Sequence, residues 1–87
     1  MKTAIITGAS SGLGYEYVKA VIERYTDIEE FWLIARRAER LQAIAEEYKD
    51  KKIVPVCLDL TKDVSFAEYE TLLKEKEPDI RLLINNA

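Results

Sequence analysis

The sequence contains no histidine and a single cysteine, Cys57. These two shortages exclude a zinc cluster of Cys and His, and any mechanism that needs a histidine base. One cysteine cannot close an internal disulfide, so nothing points to an oxidising compartment and a cytoplasmic location is expected. A basic excess is also lacking. Thirteen Lys and Arg stand against 16 Asp and Glu, a net charge of -3, so no nucleic-acid partner is expected. No apolar run approaches the roughly 18 residues of a membrane helix, so no membrane partner is expected either. The opening MKTAII meets a glycine turn too soon to be a signal peptide. What is present is 87 residues with a 48% hydrophobic share. That suits one small domain or a portion of a larger one, with too much apolar content for disorder.

Glycine is scarce as well, and its scarcity is informative. An average chain of this length carries about six. Here there are three, Gly8, Gly12 and Gly14, all within seven residues. Such a cluster marks one place where the backbone must do what a side chain would obstruct.

Short apolar runs alternate with helical patterns along the chain. Thr3–Thr7 reads as a buried strand bounded by Gly8. Leu13, Tyr17, Val21, Ile22 and Tyr25 recur at helical spacing between Gly12 and Tyr25. Phe31–Ala35 is a second strand. Leu41, Ile44, Ala45 and Tyr48 form the stripe of a second helix, and Ile53–Leu58 is a third strand. Ser65 and Glu68 have capping-box spacing, with Val64 and Tyr69 at the flanking staple positions, which predicts a third helix starting at Ser65. Tyr69, Leu72 and Leu73 supply its apolar face, and Pro78 ends it. Ile80–Ile84 is a fourth strand, in which Ile80, Leu82 and Ile84 are expected to share one face.

The order βαβαβαβ predicts an α/β fold with a Rossmann-like parallel sheet. In the doubly wound order 3-2-1-4 the third strand is an edge. Pro55 lies in that strand, where the missing N–H is tolerated.

The string TGASSGLG follows the first strand and opens the first helix. A helix N-terminus offers unpaired amides and partial positive charge, which suit a phosphate if no side chain blocks its approach. Gly8 permits the turn, Gly12 admits close backbone approach to a pyrophosphate, and Gly14 allows close packing of helix on sheet. Ser10 and Ser11 offer hydroxyls as caps or phosphate ligands. The structural alternative is a turn whose glycines serve geometry alone. A Walker loop is excluded, because no Lys-Ser or Lys-Thr follows the last glycine.

The G-x-x-x-G-x-G spacing of this loop, Asp59-Leu60 after the third strand and Asn85-Asn86-Ala87 after the fourth together resemble the short-chain dehydrogenase/reductase family. The resemblance covers the whole chain but only about the first third of a typical member. It implies a dinucleotide cofactor held by Gly8, Ser10, Ser11, Gly12, Leu13 and Gly14. It further implies that Asp59 accepts a hydrogen bond from the adenine amino group beside Leu60. By the same resemblance, Asn85 and Asn86 are expected to brace the sheet and line the adenosine ribose, with Ala87 alongside.

The second strand ends in Arg36-Arg37. NAD binders usually place an acid there to hold the ribose hydroxyls. A guanidinium instead pairs with a 2′-phosphate, so NADP(H) is expected over NAD, with Arg36 first and Arg37 second. The alternative is a pair of solvated arginines before a helix.

Family members transfer hydride between nicotinamide and a small alcohol or carbonyl substrate. Their catalytic Ser and Tyr-x-x-x-Lys lie beyond the Asn-Asn-Ala segment, so no catalytic residue is assigned in this chain. It is expected to be the N-terminal dinucleotide-binding portion of a single-domain oxidoreductase, inert alone. The competing reading is a non-catalytic NADP(H)-binding sensor or regulatory module. Tyr15/Lys19 and Tyr48/Lys52 fit Tyr-x-x-x-Lys by spacing only. Both are set aside, the first for its place after the glycine loop and the second for its place in a buried stripe. With its fourth strand as an exposed edge, the protein is expected to form a homo-oligomer.

Overall fold

The computed structural model describes residues 1–10, 12–59 and 62–86. Seven elements follow one another: β1 (Lys2–Thr7), α1 (Gly12–Arg24), β2 (Glu30–Ala35), α2 (Ala38–Glu47), β3 (Lys52–Cys57), α3 (Asp63–Lys76) and β4 (Asp79–Asn85). The strands form one parallel sheet in the order β3-β2-β1-β4. The topology expected from the alternation of strand and helix patterns is therefore the one observed. Pro55 sits in edge strand β3, opposite Leu33.

The central strands β1 and β2 read as unbroken apolar runs because both faces are covered. Their five last residues are all buried. On one face Ala4, Ile6, Phe31 and Leu33 pack with Val18, Val21 and Ile22 of α1 and with Leu41 and Ile44 of α2. On the other, Ile5, Trp32 and Ile34 meet Val54 and Val56 of β3 and Tyr69, Leu72 and Leu73 of α3. Among the described residues no helix is long and apolar enough to cross a membrane.

Three local expectations are corrected. The buried stripe of α1 is Gly14, Val18, Val21 and Ile22, whereas Leu13, Tyr17 and Tyr25 are exposed. The helical period is the same, but the stripe is rotated to put the side-chain-free Gly14 against the sheet. The start of α3 also differs. Its first residue is Asp63 and its N-cap is Lys62, which makes no side-chain capping bond. The Phe66 amide already donates to the Lys62 carbonyl at 3.0 Å. Asp63 in the first turn complements the partial positive charge there without a capping box. The Ser65 side chain lies outside what the structure describes. At the far end Glu77 adopts the left-handed conformation, φ 44°, and its amide closes the helix on the Leu73 carbonyl, one residue before Pro78.

The third correction concerns β4. Its register against β1 shifts between Thr3 and Ala4, so that Thr3 lies opposite Ile80 and Ala4 opposite Leu82. The extra residue, Arg81, reverses the facing of everything before it. Leu82 and Ile84 pack on the main cluster, while Ile80 falls on the other side and stays exposed.

Candidate functional site

Parallel strands all end at the same edge of their sheet. Thr7 lies opposite Ile34 and Asn85, and Ala35 lies opposite Cys57. The segments that follow these residues must therefore gather along one edge. Four sequence features arrive there: the loop from Gly8 to Gly12, Arg36-Arg37, Asp59, and Asn85-Asn86. Ser11, Leu60 and Ala87, also assigned to the site from sequence, lie outside the described residues.

Gly8, Ala9 and Ser10 of the glycine loop are each held by a partner elsewhere in the fold. Gly8 has φ 63°, in the left-handed region. A Cβ built there would stand 2.0 Å from the Asn86 carbonyl oxygen, so β4 closes over this position and only glycine fits. The Asn86 side-chain amide donates to the Gly8 carbonyl at 3.4 Å. The Ala9 amide donates to the Ile34 carbonyl at 3.2 Å. Arg40 Nη1 donates to the Ser10 carbonyl at 3.2 Å. Gly12 is different. A Cβ there would meet nothing within 4 Å, so no internal packing demands a glycine at the start of α1. The first turn of α1 carries no acidic residue, which leaves its partial positive charge unopposed within the helix.

Thr7 joins the loop to the end of β4. Its hydroxyl lies within donating distance of Asn85 Oδ1 (3.0 Å) and the Ile84 carbonyl (3.4 Å), and it accepts from the Asn86 amide at 3.0 Å. The two asparagines therefore tie the end of β4 to the end of β1 and the turn after it. Thr7 was not singled out from sequence. Its signal was a polar residue at the end of an apolar strand, where the hydroxyl replaces a missing side-chain partner.

Arg36 and Arg37 are exposed, and among the described residues neither forms an ion pair. Arg37 is the N-cap of α2 in extended conformation, with no side-chain capping bond. The Arg36 carbonyl accepts from Cys57 Sγ at 3.3 Å. Cys57 is exposed. The Asp59 carbonyl accepts from the Lys62 amide at 3.0 Å. Leu13 is exposed beside the loop, and Gly14 is buried.

Arg40 is a residue to which the sequence reading assigned no role. It stands in the first turn of α2, where a cation opposes the helix dipole, and that misfit was its signal. Next to it lies an open groove of about 330 Å³ lined by Ser10, Gly12, Tyr15, Ile44 and Glu47 among others. Tyr15 donates to the Glu47 carboxylate at 2.7 Å. That hydrogen bond, reinforced by desolvation and the Glu47 charge, pushes the phenol up to about 12, the opposite of what an acid/base tyrosine needs. Lys52 pairs with Glu30 at 3.1 Å at the other edge of the sheet. Neither Tyr-x-x-x-Lys string resembles a catalytic pair.

Over residues 2–87 the sequence matches the family model described as short chain dehydrogenase. The chain belongs to the short-chain dehydrogenase/reductase family. Among its relatives is the NADPH-dependent 1-acyldihydroxyacetone phosphate reductase of Saccharomyces cerevisiae. That enzyme is 33% identical over 99% of this chain and 29% of its own length. A solved short-chain dehydrogenase from Sphingobium yanoikuyae in complex with NADPH superposes with TM-score 0.83 and 36% identity. The match covers all of this chain and 34% of that one. The bulky-bulky ketone specific alcohol dehydrogenase from Comamonas testosteroni gives 0.81 and 37%, again with full coverage of this chain and 34% of the other. The chain thus spans about a third or less of the length of the family members it matches.

Proposed function

We propose that this chain is the N-terminal, NADP(H)-binding portion of a short-chain oxidoreductase that interconverts small alcohols and carbonyl compounds. The observation that carries this reading is the gathering of the glycine loop and Arg36-Arg37 at one sheet edge, with neither arginine in an ion pair among the described residues. Open α/β sheets bind their ligands outside the carboxyl ends of the strands.

The residues present fit the cofactor. Gly12 leaves open space where a Cβ would stand, as close approach of a pyrophosphate requires. The amides that open α1 supply donors and positive potential. Gly8, Ser10, Ser11, Leu13 and Gly14 complete the diphosphate cradle in this reading. Arg36, with Arg37 second, takes the 2′-phosphate through charge-assisted hydrogen bonds. Asp59 and Leu60 flank the adenine, and Asn85, Asn86 and Ala87 line the adenosine ribose. When bound, NADP(H) supplies the hydride. This chain's own residues bind and orient its adenosine half, and they carry no acid or base for the reaction. The NADPH-dependent yeast reductase and the NADPH complex from Sphingobium yanoikuyae support the choice of nucleotide. No observation favours the non-catalytic sensor.

Calorimetric titration of the full-length protein with NADPH and NADH tests the reading. NADPH is expected to bind about tenfold or more tightly, the worth of a charge-assisted contact to one phosphate. Equal affinities, or a preference for NADH, would overturn the assignment of Arg36 and Arg37.

A further inference from the structure

Three successive loop residues are each tied to a different part of the fold. Gly8 is held by Asn86 at the end of β4, Ala9 by Ile34 in β2, and Ser10 by Arg40 in α2. The first two ties come from the sheet that carries the loop. The third crosses to a separate helix, 30 residues away in sequence. It is made by a cation placed where the dipole of its own helix disfavours it, so α2 gives up a little stability to put it there. The same short segment carries Arg36 and Arg37 just before α2 begins.

We propose that Arg40 is a positioning residue, which locks the glycine loop to α2 and so holds the diphosphate cradle in register with the two arginines that select the nucleotide. The proposal deepens the NADP(H) reading above and rests on it. Its physical content is local. A loop that binds phosphate must present N–H groups, and a free carbonyl among them repels the anion. The Arg40 guanidinium occupies the Ser10 carbonyl and turns it toward α2. The diphosphate is common to NADPH and NADH, whereas the 2′-phosphate is not. A strut on the loop must therefore affect both nucleotides alike, and a direct ligand of the 2′-phosphate must affect only one.

The experiment compares Arg40→Gln and Arg40→Lys with the unaltered full-length protein. Calorimetry with NADPH and with NADH is expected to show both affinities falling about three- to tenfold in Arg40→Gln, the worth of one net hydrogen bond. The NADPH/NADH ratio and the melting temperature should stay unchanged, and Arg40→Lys should recover part of the loss. Hydrogen exchange in the nucleotide-free protein should show faster exchange at Ala9 and in the first turn of α1 in Arg40→Gln. A loss confined to NADPH would make Arg40 a 2′-phosphate ligand, and a loss of both nucleotides without faster exchange would make it a diphosphate ligand; either would overturn the strut, and so would unchanged affinities with unchanged exchange. If the unaltered protein binds neither dinucleotide, the NADP(H) reading fails by itself, while the exchange comparison still decides whether Arg40 restrains the loop. Should Arg40→Gln fail to fold, the comparison of Arg40→Lys with the unaltered protein is read in the same way.

Discussion

The two edges of the sheet treat their charges in opposite ways. At the edge where the strands begin, charged groups are engaged with one another. Lys52 pairs with Glu30, Arg81 pairs with Asp79 at 2.8 Å, the indole of Trp32 donates to Glu30, and the Lys2 amide donates to the Glu29 carboxylate at 2.9 Å. At the edge where the strands end, Arg36 and Arg37 form no ion pair among the described residues, and Gly12 faces open space. One edge satisfies its charges within the chain, and at the other the two arginines find no carboxylate among the described residues. Pairing within the chain contributes to stability only. Charge and donors left over at a strand terminus are available to a ligand, and in a parallel sheet every strand terminus contributes to the same place.

The sharpest challenge to this division is Gly8, a structural position inside the edge where the strands end. Gly8→Ala places a Cβ against the Asn86 carbonyl and forces an alanine into the left-handed region. A loss of about 3 kcal/mol in urea denaturation is expected. Gly12→Ala, four residues on, should leave the urea midpoint unchanged or slightly raised while weakening nucleotide binding about tenfold, because it intrudes only on open space. Equal destabilisation by the two substitutions would erase the distinction between a glycine the fold needs and one the ligand needs.

Next in size is Arg36→Ala. It should cost about 1.5–3 kcal/mol of NADPH affinity, leave NADH binding nearly as it was, and not alter stability. A drop in melting temperature would mean that Arg36 belongs to the fold after all.

At the opposite edge the expected pattern reverses. Glu30→Gln should lower stability by about 1 kcal/mol without touching nucleotide affinity, the exposed Lys52 partner keeping the loss small. Burial alone pushes the Glu30 carboxyl up, but the Trp32 and Lys52 hydrogen bonds and the Lys52 charge outweigh it. The group ends below its ordinary 4.5. A carboxyl depressed in the folded state contributes stability above its unfolded value and loses that contribution as pH falls through the folded one. The gap between the unaltered protein and Glu30→Gln should therefore be full near pH 6 and close below about pH 4.5. The smallest effect belongs to the exposed Asp79–Arg81 pair, for which Asp79→Asn should leave the urea midpoint where it is.

Much of this was legible in the sequence, because strand and helix patterns alternate cleanly and three glycines stand together. The strand order followed from that alternation, and Pro55 placed β3 at the edge. Pairwise detail was not legible. The α1 stripe was drawn through Tyr17 and Tyr25, since large apolar residues look like core and a glycine looks like none. Gly14 nonetheless sets the buried face. The facing of Ile80 depended on a register shift that no periodicity shows. At the site, the glycines and arginines announced themselves by type. Thr7 and Arg40 act through partners 78 and 30 residues distant, and such pairings exist only once the sheet has brought the partners together.

That distance has a kinetic side. The bonds that shape the turn after β1 come from residues at the opposite end of the described chain, with separations of 78 and 79 residues. They are among the most non-local contacts a chain of this length can make, and their loop-closure entropy has to be met before they return anything. During synthesis β1 emerges early, yet the turn after it gains these partners only once Asn86 has followed. Until then Gly8 lacks the contact that fixes its left-handed conformation, and the turn takes its final shape only when β4 has joined the sheet.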